Sequence, residues 1–335
     1  MNQPYNPFFV PNPQQEAIES EKRNLRRDAS YIGVLSIVLT LVMSFFFSIL
    51  ASILIAAGVI APDDLTDPFL GLGNTNYLFL YMAVYTFDLL APAVVVSFLY
   101  KKRFCPFAPS KPVSFSFAFF GIITAVGLCM LANIINSFAL SFFMEMGLEI
   151  PEPPQMMEAT PLSLILNLFT MAVLPALLEE MIYRGYILRT LRPYGNMFAV
   201  IVSSLLFSLM HGNLRQIPFA FVVGLVLGLL YVISDNIWLP IAVHFANNAI
   251  SVSMEYLGYF LPEDRVDLFY TVIIYGLILV GIVTAIVLLL RHKEQLKIRK
   301  IDTQLTVAQR TSALINTPLF IVAIVLYLLL LFLGS

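Results

Sequence analysis

The chain has 335 residues, 59% hydrophobic and 12% charged, with a formal net charge of −2. A soluble domain carries about a quarter charged residues, so this composition excludes a single soluble core, and the lack of a basic domain argues for no nucleic acid partner. Repeated apolar runs of about 20 residues, enough to cross ~30 Å of hydrocarbon as helix, predict an all-α fold: a polytopic integral membrane bundle of about 8–9 transmembrane helices with the lipid bilayer as its solvent.

Residues 1–30 are rich in Asn, Pro and Gln and then charged. They lack the apolar centre and small-residue cleavage site of a signal peptide and are expected to form a flexible cytoplasmic tail. Candidate spans follow at roughly 31–59, 77–100, 113–143, 161–190, 196–212, 216–233, 236–254, 266–290 and 317–333. The Pro-rich stretch from Glu149 to Pro161 separates peripheral transmembrane helices (31–145) from a block (160–255) that holds the unusual polar residues. C-terminal transmembrane helices (256–335) complete the chain.

With the N-terminus inside, all but two of the 19 Lys and Arg fall in the N-terminal tail or in loops on the cytoplasmic side; the exceptions are Arg215 and Arg265. The positive-inside rule therefore predicts this orientation, in an integral protein of a bacterial plasma membrane. Cys105 and Cys129 have neither a disulfide framework nor metal-type spacing. Gly224 and Gly228 form a G-x-x-x-G pair suited to close helix packing. The sequence specifies no oligomeric state.

A charge at the bilayer centre costs at least ~2.5–3.5 kcal/mol on insertion scales, so such groups usually face the bundle interior and mark function. In the fourth span, Glu180 and Arg184 are four apart and share a helix face, while Glu179 lies about 100° around and points elsewhere. The fifth span ends in Phe207 and His211, one turn apart, and the seventh aligns His244 with Asn248. If Arg192 to Asn196 is the turn of a helical hairpin centred on Gly195, Glu179 and His211 are each 16 residues from it, about 24 Å. They then lie at one depth, and His244 and Asn248, about 13 and 20 Å from a turn near Asp235, converge on the same layer.

A carboxylate beside a histidine can hold a water and take its proton. A second histidine with an asparagine can donate hydrogen bonds to the oxyanion on an attacked carbonyl. Glu with two His also matches the ligand set of an open zinc site, so Glu179, His211 and His244 stand as alternative metal ligands, although no H-E-x-x-H motif is present. The carbonyl-directed Asn248 favours a site without metal. Ser203, Ser204 and Ser208 are nucleophile candidates whose simpler role is bonding a neighbouring helix. Asp88 is a further buried acid left outside the site.

The segments "EEMIYR" (Glu179 to Arg184), "FSLMH" (Phe207 to His211) and "HFANN" (His244 to Asn248) resemble the E-E-x-x-x-R, F-x-x-x-H and H-x-x-x-N motifs of the CPBP family of intramembrane proteases, the CAAX-protease and bacteriocin-processing (Abi-type) group. The resemblance covers roughly residues 160–255. It implies a membrane-embedded endopeptidase in which Glu179 and His211 activate water, His244 and Asn248 form the oxyanion site, and Glu180, Arg184 and Phe207 support them. The family is described both as glutamate-dependent and as metal-dependent, so Zn stays open as a cofactor. The implied substrate is a peptide or a membrane protein, prenylated in the CAAX branch. A non-catalytic immunity, scaffold or transport protein built on the same residues is the competing class.

Overall fold

The computed structural model describes residues 12–61, 65, 67, 70–99, 110–148, 150 and 158–333. The first 11 residues of the expected tail, Cys105 and most of the Pro-rich stretch lie outside the described residues. Those described form ten helices and no strand: α1 (Pro13–Ala56), α2 (Asn74–Leu99), α3 (Phe115–Glu145), α4 (Pro161–Tyr194), α5 (Asn196–Met210), α6 (Ile217–Ser234), α7 (Trp238–Leu257), α8 (Glu263–Arg291), α9 (Val307–Ile315) and α10 (Pro318–Leu333). Helix is what hydrocarbon demands, because every backbone N–H and C=O must be satisfied within the segment.

One expectation is corrected. The tail expected to be flexible is helical from Pro13: Asn12 caps it by accepting from the Gln14 amide, and Pro13 suits the first turn, where no N–H is needed. Leu25, Ala29, Ile32, Leu35 and Leu39 are buried at helical spacing and extend the α1 core face into that segment. The polytopic helical bundle is as expected: among the described residues six helices are long and apolar enough to cross by themselves, α1, α2, α3, α4, α6 and α8, or seven if the 74° bent pair α9 and α10 counts as one. Helix α5, with 15 residues, is only about 22 Å long. Helix α7 has the length but carries His244, Asn247, Asn248, Ser251, Ser253 and Glu255.

Close helix contacts fall where a side chain is missing. A Cβ on Gly127 of α3 would lie 2.8 Å from the Cα of Gly281 on α8, and one on Gly224 of α6 would lie 3.0 Å from Ser204 Cβ of α5. Gly224 and Gly228 thus seat α6 against α5, leaving the first half of α6 to wall a cavity. Large apolar side chains such as Phe98, Phe115, Phe138 and Leu290 face outward, the arrangement of a bundle solvated by lipid.

One end of the bundle is tied by polar contacts. Gly195, at φ 126°, turns α4 into α5, and Asp235, in the left-handed region at φ 49°, turns α6 into α7. Asp235 accepts from Lys111 Nζ at 2.5 Å and from Arg192. Asn196 donates to the Arg299 carbonyl at 2.6 Å, Arg310 to the Tyr194 carbonyl at 2.8 Å, and the Tyr194 hydroxyl to Asp28 at 2.8 Å. Basic segments distant in the chain thereby meet at the same end.

Burial would raise the Asp235 carboxyl, but the hydrogen bonds and positive charge of Lys111 and Arg192 outweigh it and hold the group below the ordinary carboxylate value. A lowered folded value stabilises the fold above the unfolded value and is lost as pH falls through the folded one. Asp235→Asn should therefore lower the thermal midpoint at neutral pH, with the gap to the parent protein narrowing on acidification. A gap independent of pH would show that this charge is not what holds the turn.

Candidate active site

Helix α4 is irregular where the acids lie. It is wound as π-helix over Leu168–Val173 and Met181–Leu188, with an α-helical segment Leu174–Glu180 between them. Such local widening is common at functional sites. It surrounds the paired glutamates, which point to different partners as their angular offset requires.

Glu180 is completely buried and ties the site together. Its Oε1 accepts from Arg184 Nη1 at 2.9 Å and meets His244 Nδ1 at 2.9 Å. Arg184 also donates Nη2 to the Gly224 carbonyl at 3.0 Å, and its guanidinium lies 4.6 Å from the centre of the Phe207 ring. Phe207 is edge-on to Tyr183, His211 and His244, at 5.3, 5.1 and 5.9 Å between ring centres. This one aromatic therefore spaces the cation and both histidines.

Glu179 points into the cavity. Its Oε1 accepts the Tyr85 hydroxyl from α2, while its buried Oε2 has no hydrogen-bond partner among the described residues. That oxygen is 3.9 Å from His244 Nε2, too far for a direct hydrogen bond. A gap of this size between two polar atoms is one that a water can bridge.

His211 lies just past the end of α5, and its Nδ1 is 2.8 Å from the Phe207 carbonyl. A carbonyl only accepts, so Nδ1 carries a proton, and in its neutral form the ring presents Nε2 as an acceptor. Asn248 donates Nδ2 to the Met171 carbonyl at 3.0 Å and its Oδ1 accepts from Asn247 at 3.2 Å. Glu179, Phe207, His211, His244 and Asn248 all line one cavity of about 680 Å³. Its other walls include Asn167, Met171, Pro175, Phe219, Val223 and Asn247.

The sequence-derived set therefore shares one cavity, with Glu180 and Arg184 packed behind it. Tyr85 was missed, and it corrects the reading of residues 31–145 as peripheral: α2 delivers a hydroxyl to the buried carboxylate. A tyrosine in an apolar span carries no periodic mark, so only the tertiary fold reveals this contact. The Glu180 to His244 bond was likewise not legible.

Ser203, Ser204 and Ser208 bond to carbonyls of their own helix and do not line the cavity. Asp88 is buried on α2 but also lies off the cavity lining. His292, just past the end of α8, meets the Ser116 hydroxyl of α3 at 3.1 Å. As to a metal, no three His, Cys, Asp or Glu among the described residues group as a ligand set.

Fold and site define a polytopic membrane protein, helical through the described residues, with carboxylates, histidines and carboxamides lining one cavity. The family model for Type II CAAX prenyl endopeptidase Rce1-like proteins matches residues 161–250, the block that builds the cavity, and bears out the resemblance drawn from the three motifs. The chain is similar to YdiL of Bacillus subtilis (strain 168), described as a membrane peptidase, with 30% identity over 99 residues, 29% of this chain and 39% of that relative. It is also similar to the membrane-embedded CAAX protease MroQ of Staphylococcus aureus (strain USA300), with 31% identity over 98 residues, 27% of this chain and 40% of that relative. The matched segment thus spans about two fifths of either relative. No solved structure matches the chain significantly.

Removing one partner of a buried ion pair leaves an uncompensated charge and costs about 3–5 kcal/mol. Arg184→Met should destabilise the protein by that order in thermal unfolding, and adding Glu180→Gln should recover part of the loss. A double variant no more stable than the single one would mean that Arg184 acts through packing on Phe207 instead.

Proposed function

We propose that this protein is a membrane-embedded endopeptidase that hydrolyses a peptide bond at the floor of the cavity. The observation that carries the reading is the buried, unpartnered Oε2 of Glu179, facing a cavity that also presents two histidines and an asparagine. This is the layout of a general base with an oxyanion site, on a chain whose matched relatives are described as membrane peptidases.

In this mechanism a water is held by Glu179 Oε2 and His211 Nε2, both of which accept. Glu179 takes a proton as the water oxygen attacks the scissile carbonyl. The resulting oxyanion receives hydrogen bonds from His244 and from the second N–H of Asn248, and the proton then passes to the leaving amine. His244 Nδ1 is already committed to Glu180, so Nε2 is the ring nitrogen that turns to the oxyanion, and carrying a proton it supplies the donor the oxyanion requires. Tyr85 fixes the rotation of the Glu179 carboxyl so that Oε2, not Oε1, meets the water.

General-base catalysis contributes about 10²–10⁴-fold. Glu179→Ala should lower turnover of a cleaved peptide by at least that range in the folded protein, assayed with a chelator present throughout. Undiminished cleavage by Glu179→Ala would remove Glu179 from the role of base, and a parent protein that binds peptide without cleaving it would leave a binding or transport role as the better reading. Loss of activity in the parent protein on adding chelator would return the site to metal chemistry.

A single hydrogen bond to a charged group contributes about 1.5–3 kcal/mol. Tyr85→Phe should therefore reduce kcat by roughly ten-fold or more, leave KM nearly unchanged and move the acid limb of the pH–rate profile. A pure KM effect with an unmoved profile would place Tyr85 in substrate contact rather than in orienting the base.

A further inference from the structure

The cavity occupies only one half of the bundle. Its lining comes from the first part of α4 (Asn167 to Glu179), the end of α5 (Phe207 and His211), the first turns of α6 (Gln216 to Val223) and the second half of α7 (His244 to Glu255). These segments converge on the end of the bundle opposite Gly195 and Asp235. Along α7, burial falls from His244 and Asn247 at the floor to exposed Ser251 and Glu255 at the rim, and Gln216 is exposed on the facing helix. Eleven residues separate His244 from Glu255, about 16 Å of helix.

The sealed end is the basic one. Lys111, Arg192, Arg299 and Arg310 meet there through contacts to Asp235, Asn196 and Tyr194. Among the described residues, the Lys or Arg at the open end are Arg215 and Arg265. Basic loops are retained on the cytoplasmic side, so depth and charge together orient the cavity.

We propose that the mouth opens to the extracytoplasmic face, and that the substrate is an internal, uncharged stretch of peptide presented there by a membrane-anchored chain, not a C-terminal tail from the cytoplasm. This rests on the proposed proteolytic reading and names its substrate class. Neither Lys nor Arg lines the cavity among the described residues, so a free C-terminal carboxylate meets no fixed cation. The cavity lining mixes carboxamides, Asn167, Asn247 and Gln216, with apolar groups, Pro175, Phe219 and Val223. Carboxamides both donate and accept, as an extended backbone requires, and the apolar groups accommodate apolar side chains.

The test uses full-length protein in intact cells, with Cys105 and Cys129 replaced by serine and a single cysteine returned at Ser251→Cys or Ser253→Cys near the mouth, or at Lys300→Cys at the sealed end. A membrane-impermeant maleimide should label the first two in intact cells to the extent reached after permeabilisation. Lys300→Cys should be labelled only after permeabilisation. The reverse pattern, or equal labelling of both ends in intact cells, would overturn the proposal. Labelling does not depend on turnover, so an outward mouth on a protein that cleaves nothing would refute proteolysis alone, and an active enzyme with an inward mouth would refute only the assignment of face.

Discussion

A single buried carboxylate oxygen holds the site together. Glu180 Oε1 takes both Arg184 and His244 at 2.9 Å, in a place with no solvent exposure. Withdrawing two charges from water costs several kcal/mol per ion after relaxation, so the pair persists only where additional hydrogen bonds hold it. The Gly224 carbonyl and the Phe207 ring supply such contacts to Arg184, and His244 completes the set. The consequence is geometric: α4, α6 and α7 are fixed in register at one depth, and Glu179, one residue earlier, is turned toward the cavity.

The short α5 makes that cavity. A helix of about 22 Å starting at the sealed end is shorter than the hydrocarbon thickness of about 30 Å, and the chain returns as α6. His211, which follows its last turn, is half-buried and lines the cavity. Close packing of α5 on α6 at Gly224 and Gly228 keeps the two helices together below this point. The space beyond is bordered by α4 and by α7, whose His244, Asn247, Asn248 and Ser251 line it.

Polarity also differs between the two ends. Contacts around Asp235, Asn196 and Tyr194 tie one end with charged and amide groups from five separate parts of the chain. The other end carries the cavity and few cations. A rigid, charge-tied base beneath a more open half suits a site that must keep its acids at fixed spacing while admitting a ligand between helices.

The sequence by itself determined the all-helical membrane class, the hairpin turns at Gly195 and Asp235, and the separation of Glu179 from Glu180. These follow from local rules: apolar run length, helical angle and turn chemistry. It took residues 13–30 for a tail because a charged segment hides the core face running through Leu25, Ala29 and Ile32. Only the tertiary structure decided that Tyr85 bonds to Glu179 across 94 positions of chain, that Glu180 serves His244 as well as Arg184, and that the cavity lies wholly in one half of the bundle. Such contacts depend on how helices far apart in the chain are packed side by side, and no periodicity within one helix records its neighbour.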